Sequence, residues 1–142
     1  MKAKTMQFPH RATLHTPQGQ LPLQLHIARS LWHRWRGLML TAPLQSQPIA
    51  QGLLIPHCPS VHGFFMRYPL DIIYLSRDDP QHYTVTHTDT LAPWHISLGR
   101  STLLPTSQGT ALRRSAHTLE LPAGVIEKYQ IAIGQQLETH AP

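Results

Sequence analysis

The sequence has a single cysteine, Cys58, in 142 residues. That excludes an intramolecular disulfide framework and a zinc site built from several thiolates. No stretch approaches about 18 uninterrupted apolar residues, so no helical membrane span is expected. The first ten residues, Met1 to His10, carry charge with no apolar segment behind it, and no secretory signal is visible. The expectation is a soluble, cytoplasmic chain. Charged residues are scarce at 13%, and residues 1–70 contain no Asp or Glu at all. Also missing are HxH and HExxH pairs, a glycine-rich phosphate loop, a local Ser/His/Asp arrangement and paired carboxylates. No cofactor and no metal are expected.

What is present is base and histidine. Seven Lys and Arg in residues 1–70 face no acid, whereas residues 71–142 hold five bases and seven acids. Such asymmetry can mark a face for an anionic partner. The plainer reading is that the halves interleave in one domain, where acids such as Asp71, Glu120 and Glu127 neutralise the bases. No Lys/Arg block exceeds two residues, which favours the plainer reading. Eleven dispersed histidines in a chain with three lysines read as surface polarity rather than a metal tract.

Thirteen prolines and eight glycines cut the chain into short pieces, against a helical bundle. Residues 10–16 and 21–28 flank Pro17-Gln18-Gly19-Gln20, and Leu21, Leu23, Leu25 and Ile27 alternate with mostly polar residues, which predicts a hairpin. Ser30 to Leu40 places Leu31, Trp35, Leu38 and Met39 on one helical face behind a Ser30 cap. Residues 61–75 predict two buried strands. His82–Thr90 alternates with Tyr83, Val85 and His87 on one side; residues 96–110 read as a polar stretch. Residues 117–121 predict a strand, 125–130 a helical turn, and 136–139 a closing strand. The fold class is mainly β: a compact, mostly antiparallel barrel-like or sandwich-like domain over 1–142, with one or two short helices. Residues 1–9 read as a flexible N-terminal segment.

Three motifs occur in order: Arg34-Trp35-Arg36-Gly37-Leu38-Met39, then Phe64-Phe65-Met66-Arg67-Tyr68-Pro69-Leu70-Asp71-Ile72-Ile73-Tyr74-Leu75, then Leu119-Glu120-Leu121-Pro122-Ala123-Gly124 with Gly134 following. Together they resemble domain-of-unknown-function family 192, over roughly residues 21–138. Leu91-Ala92-Pro93-Trp94 matches a subtype in which an Arg usually follows the Trp; here it is His95. An acid often precedes the first motif and another follows Gly134; this chain has neither, with Gln135 in the second place. The resemblance implies a mostly antiparallel β domain and no established activity, so any site must be argued from residues.

Asp71 stands in an apolar run and needs a partner, since an unpaired buried carboxylate costs several kcal/mol. Two structural solutions are open: a pair with Arg67, Arg34 or Arg36, or a clamp on backbone amides. The functional alternative is a polar floor to a ligand pocket. Cys58, between His57 and Pro59 with His62 nearby, reads as a half-buried structural thiol; a nucleophile would need an orienting group and an oxyanion turn that are not visible. Trp94 lies on a loop, where binding residues tend to sit. The sequence thus favours a non-catalytic ligand- or protein-binding module, most simply a monomer, with a cleft between the Trp35 helix and the His62–Asp71 sheet. Its candidate pocket residues are His62, Arg67, Asp71, Trp94 and Arg36. The competing readings are a small hydrolase or isomerase using Asp71 with His62, and a weak nucleic-acid binder. For the last, no affinity for mixed-sequence DNA or RNA tighter than about 10 micromolar is expected at physiological salt.

Overall fold

The structure is a computed structural model that describes residues 7–28, 43–63 and 66–140. Its elements are β1 (His10–Thr16), β2 (Gly19–Ile27), β3 (Ala50–Ile55), β4 (Ser60–His62), β5 (Leu70–Asp79), β6 (His82–Leu91), β7 (Ile96–Leu98), β8 (Thr102–Thr106), β9 (Gly109–Arg113), β10 (His117–Pro122), α1 (Val125–Tyr129) and β11 (Gln136–His140). Seven strands form a closed barrel in the order β1-β11-β6-β5-β10-β3-β2, and β2 returns to β1. Its neighbours are antiparallel apart from β2 and β3, which run parallel. The expected helix around Trp35, with Arg34 and Arg36, lies outside the described residues, as do Phe64 and Phe65.

Period-two patterning builds the wall. Leu21, Leu23 and Leu25 of β2 point inward with Ala12 and Leu14 of β1, and Ile73, Leu75, Leu119, Leu121, Val85 and Leu137 complete a core of almost fully buried side chains. The β1–β2 hairpin turns through Pro17-Gln18, and Gly19 takes the left-handed φ of 104° that closes the turn. Inside the barrel, Gly52 makes room for others: a Cβ there would stand 2.9 Å from Leu121 Cδ2 and 2.9 Å from Leu25 Cδ2. Substitution would push two core leucines apart.

The alternation expected in β6 breaks at one place. Val85 is opposite Leu75 and His87 is opposite Tyr74, so a bulge falls at Thr86 and the side-chain pattern flips. His87 therefore does not share the inner face with Tyr83 and Val85; it stacks on Tyr74 with ring centroids 5.9 Å apart. The buried strand expected across Val61–Met66 is also shorter, because β4 spans Ser60–His62 and only Val61 of it is buried. The stretch after Trp94, read from sequence only as polar, holds β7 paired with β4 and the β8–β9 hairpin.

A second apolar cluster covers the outer side of the wall, with Leu53, Ile55, Leu70, Ile72, Tyr74 and Leu91 packed against Val61 and Met66. Polar bonds fasten the β4–β7 ribbon over it. Ser97 Oγ lies 2.7 Å from the Tyr74 hydroxyl and donates to Asp89 Oδ2 at 2.6 Å. Thr118 Oγ1 donates to the Cys58 carbonyl at 2.5 Å, and Gly99 N–H to the Pro59 carbonyl at 2.8 Å. Burial of Tyr74, with negative charge on Asp89 nearby, pushes its hydroxyl up to about 12.

Candidate functional site

The two ends of the barrel are built differently. At one end β10 runs through Pro122 into Gly124 (φ 94°) and α1, which lays Val125 into the core; Ile131 follows it there. No side chain of the turn caps this helix. The acceptor comes from β5: Asp71 Oδ2 takes the Ile126 N–H at 2.8 Å, with further hydrogen bonds from the Gly124 and Val125 amides and the Thr90 side chain. Asp71 shares the inward face of β5 with Ile73 and Leu75, and burial lifts its carboxyl above the usual range despite these bonds. Of the partners open from sequence, the amide clamp is the one found. Among the described residues no ion pair to Asp71 occurs, and Arg67 is exposed.

At the other end the inward rows change character in step. Leu14 and Ala12 are followed by His10, Leu121 and Leu119 by His117, and Ile73 and Leu75 by Arg77. Tyr83 is the β6 partner of Arg77, and the guanidinium carbon lies 5.7 Å from the Tyr83 ring centroid. A cavity of about 450 Å3 opens here, lined by His10, Ile27, Leu54, Arg77, Tyr83 and His140 together with Pro56, Pro80, Gln81 and Thr139. Ile27, Leu54 and Tyr83 give it an apolar floor; among the described residues no carboxylate lines it.

Backbone carbonyls hold Arg77 in place. Its Nε donates to the Asp79 carbonyl at 3.2 Å and its Nη2 to the Pro80 carbonyl at 3.0 Å. A guanidinium carries five N–H donors, so most of its capacity is not used by described partners. The nearby Asp79 carboxylate is occupied elsewhere: it accepts the Gln81 and His82 amides at 2.8 and 2.9 Å and pairs with the His82 ring. The Gln81 amide, with His82 next, holds that carboxyl below the usual range. Behind the cavity, buried His117 meets Tyr83 edge to face at 5.6 Å, and its Nδ1 accepts the His57 N–H at 3.1 Å. That bond leaves the proton of the neutral ring on Nε2. Burial, then the charges of His57 and Arg77, draws the His117 pKa down.

The wall between the ends holds a third ionisable feature. Glu120 stands on the outer face between Leu53 and Ile72, is 5% exposed, and has no hydrogen-bond partner at Oε2. Desolvation raises its carboxyl to about 7. The expectation that a base neutralises it fails among the described residues, where the pairs are Arg113–Asp78, His82–Asp79, and His15 and His82 with Glu138.

The structure thus scatters the residues singled out from sequence. His62 pairs with Ile96 in the β4–β7 ribbon, and Trp94, 60% exposed at φ 67°, donates its N–H to the Gly63 carbonyl at 2.7 Å, so these two segments adjoin. Asp71 faces the barrel interior, and Arg36 is outside the described residues. Cys58 is half-buried, with Sγ donating to the Ser60 carbonyl at 2.9 Å. Sequence reasoning did not single out His10, Arg77, Tyr83, His117 or His140. Their signal is positional: a basic or aromatic residue ends an otherwise apolar period-two row on several strands, at the same level of the barrel.

Among the described residues no helix is long and apolar enough to cross a membrane, and no group of three or more His, Cys, Asp or Glu is arranged to hold a metal.

The architecture defines a small closed β-barrel with one end plugged by a helical turn and the other open. The model of DUF192, the family described as Uncharacterized ACR, matches residues 13–139, and the chain belongs to that family. A UPF0127 protein of Pyrococcus furiosus is 25% identical over 123 residues, covering 87% of this chain and 92% of the relative. Among solved structures, a protein of unknown function from Novosphingobium aromaticivorans superposes with a TM-score of 0.66 at 18% identity, covering 90% of this chain and 83% of its own. Another, from Sinorhizobium meliloti and described as a candidate transcription regulator, has a TM-score of 0.61 at 22% identity, covering 92% of both chains. These likenesses concern the fold.

Proposed function

We propose that this barrel is a non-catalytic binding module that takes a small molecule into its open end. The observation that carries the reading is the cavity of about 450 Å3, with an apolar floor and a polar rim, at the mouth of an otherwise filled barrel. Barrel mouths are among the usual places for small-molecule sites, and this volume falls in their usual range. An enzyme using Asp71 with His62 gains nothing from the geometry: the Asp71 carboxylate is committed to the α1 amides, and His62 lies on the exposed face of a ribbon outside the barrel.

The test is a thermal-shift screen against a chemically varied panel of small molecules, followed by amide chemical-shift mapping of each hit. A hit raises the melting temperature and moves the amides of His10, Gln81, Tyr83 and Thr139. The variant Gln81→Trp, which adds bulk at the rim from an exposed position, should weaken such hits at least tenfold. A panel whose hits all map elsewhere, or that yields none, overturns the reading.

A further inference from the structure

We propose that the ligand class of this mouth is an organic monoanion: a carboxylate whose charged head meets Arg77 and whose apolar body lies on Ile27, Leu54 and Tyr83. The inference rests on the mouth being a binding site and adds the chemistry of what it selects.

Three independent features point the same way. First, the guanidinium of Arg77 is anchored but not neutralised. Both of its bonds go to carbonyl oxygens, so it keeps a full charge and has donors left to form a two-pronged contact with a carboxylate. Its anchoring fixes the fork before a ligand arrives, which reduces the ordering cost of binding. Second, the nearby acid is turned away: Asp79 is folded into its own turn on the Gln81 and His82 amides. A cationic ligand would find Arg77 and ring N–H groups where it needs acceptors. Third, the other basic side chains of the described rim are imidazoles. His10 comes from β1 and His140 from β11, with His117 from β10 behind Tyr83 and His57 behind His117. A neutral imidazole can donate one N–H to an anion, and a protonated one can donate two.

The floor sets the other half of the specificity. Ile27, Leu54 and Tyr83 present hydrocarbon and an aromatic face, while the Thr139 hydroxyl is spent on the Gln81 carbonyl at 3.3 Å. A small hydrophilic anion such as acetate would leave this surface wet and gain only the head-group contact. An apolar body removes it from water, with a gain that grows with the hydrocarbon area covered. One guanidinium, with no second fixed cation among the described lining residues, suits one negative charge better than two.

Octanoate, octanol and acetate separate head from body, and calorimetric titration with amide-shift mapping measures each. Octanoate should bind at the mouth at least tenfold more tightly than octanol or acetate. Arg77→Gln should erase the octanoate advantage and leave octanol unchanged, whereas Arg77→Lys, which keeps the charge but not the anchored fork, should keep only part of it; circular dichroism confirms that both variants fold. Octanol binding as tightly as octanoate at the mouth, or an Arg77→Gln variant with undiminished octanoate affinity, overturns the anion assignment while the binding-module reading stands. The same holds if no probe binds and the wider panel still yields mouth-directed hits of another charge. If that panel also fails, both fall.

Discussion

The closed and open ends of the barrel face the same physical problem and resolve it oppositely. Each brings an ionisable side chain to the end of an inward-facing row, next to hydrocarbon. At the closed end Asp71 is matched by the amides of the consecutive residues Gly124, Val125 and Ile126 and by Thr90, and the helical turn it clamps shuts the barrel. Its hydrogen-bonding capacity is consumed within the fold. At the open end Arg77 is steadied by two carbonyls, faces a cavity and meets no carboxylate among the described residues. The difference teaches that burial of a charge near a core does not by itself mark a functional site. What matters is whether the fold has already supplied its partners.

The largest effect that could break this comparison is at Asp71. Asp71→Ala would leave the Gly124, Val125 and Ile126 amides without their acceptor inside a closed end. We expect a loss of about 3 kcal/mol in unfolding free energy by denaturant titration, at the upper end of the range for stranded buried partners. A loss under about 1 kcal/mol would mean the end is held by α1 packing alone. Asp71→Asn should be milder, since an amide oxygen can still accept one N–H.

Glu120 supplies the next test, because its Oε2 is buried and no described residue partners it. Its folded pKa, about 7, lies above the ordinary glutamate value of 4.5, so the folded state holds its proton more tightly than the unfolded chain. The sign follows: the associated stability is fully present below about pH 4.5, is lost as pH rises toward 7, and is absent above it. The shift corresponds to about 3 kcal/mol across that window. Glu120→Gln should flatten this part of the pH–stability curve and be the more stable protein at pH 8. Equal slopes for both proteins would show that Glu120 is matched after all.

The smallest stability effect is expected at Arg77. Arg77→Gln should change unfolding free energy by less than about 1 kcal/mol, as for an exposed side chain bonded only to carbonyls. A loss several times larger would assign Arg77 to the architecture and take away the contrast with Asp71. A related, smaller readout is His117: removing the Arg77 charge should raise its pKa, measured by proton NMR titration of its ring.

Much of the barrel was legible because alternation is a local property of the chain. β1, β2, β10 and β11 follow directly from Leu21-x-Leu23-x-Leu25 and its counterparts, and α1 from the residues after Gly124. The β7–β9 region was not. Ile96, Leu98, Leu103 and Leu112 are all more than half exposed, so no inward stripe distinguishes these strands. The Thr86 bulge was hidden for a related reason: only pairing with Leu75 and Tyr74 reveals the extra residue. Asp71 was recognised as needing a partner, but its main partners are amides, which every residue carries and no letter advertises. The mouth required knowing that His10, Arg77 and His117 end their rows at one level, and strand order alone provides that.

The parallel contact between β2 and β3 has a consequence of arithmetic. Around any closed ring, strict up–down alternation is possible only for an even number of staves. This ring has seven, so at least one junction must join strands pointing the same way, and β2–β3 is that seam. Parallel neighbours cannot be joined by a tight turn. β2 finishes toward the open mouth and β3 starts toward the plugged end, so these two strands cannot be joined by the kind of tight turn that links β1 to β2 and β5 to β6. Parity thus demands one parallel seam, and its placement between two strands consecutive in sequence is what rules out a tight turn there.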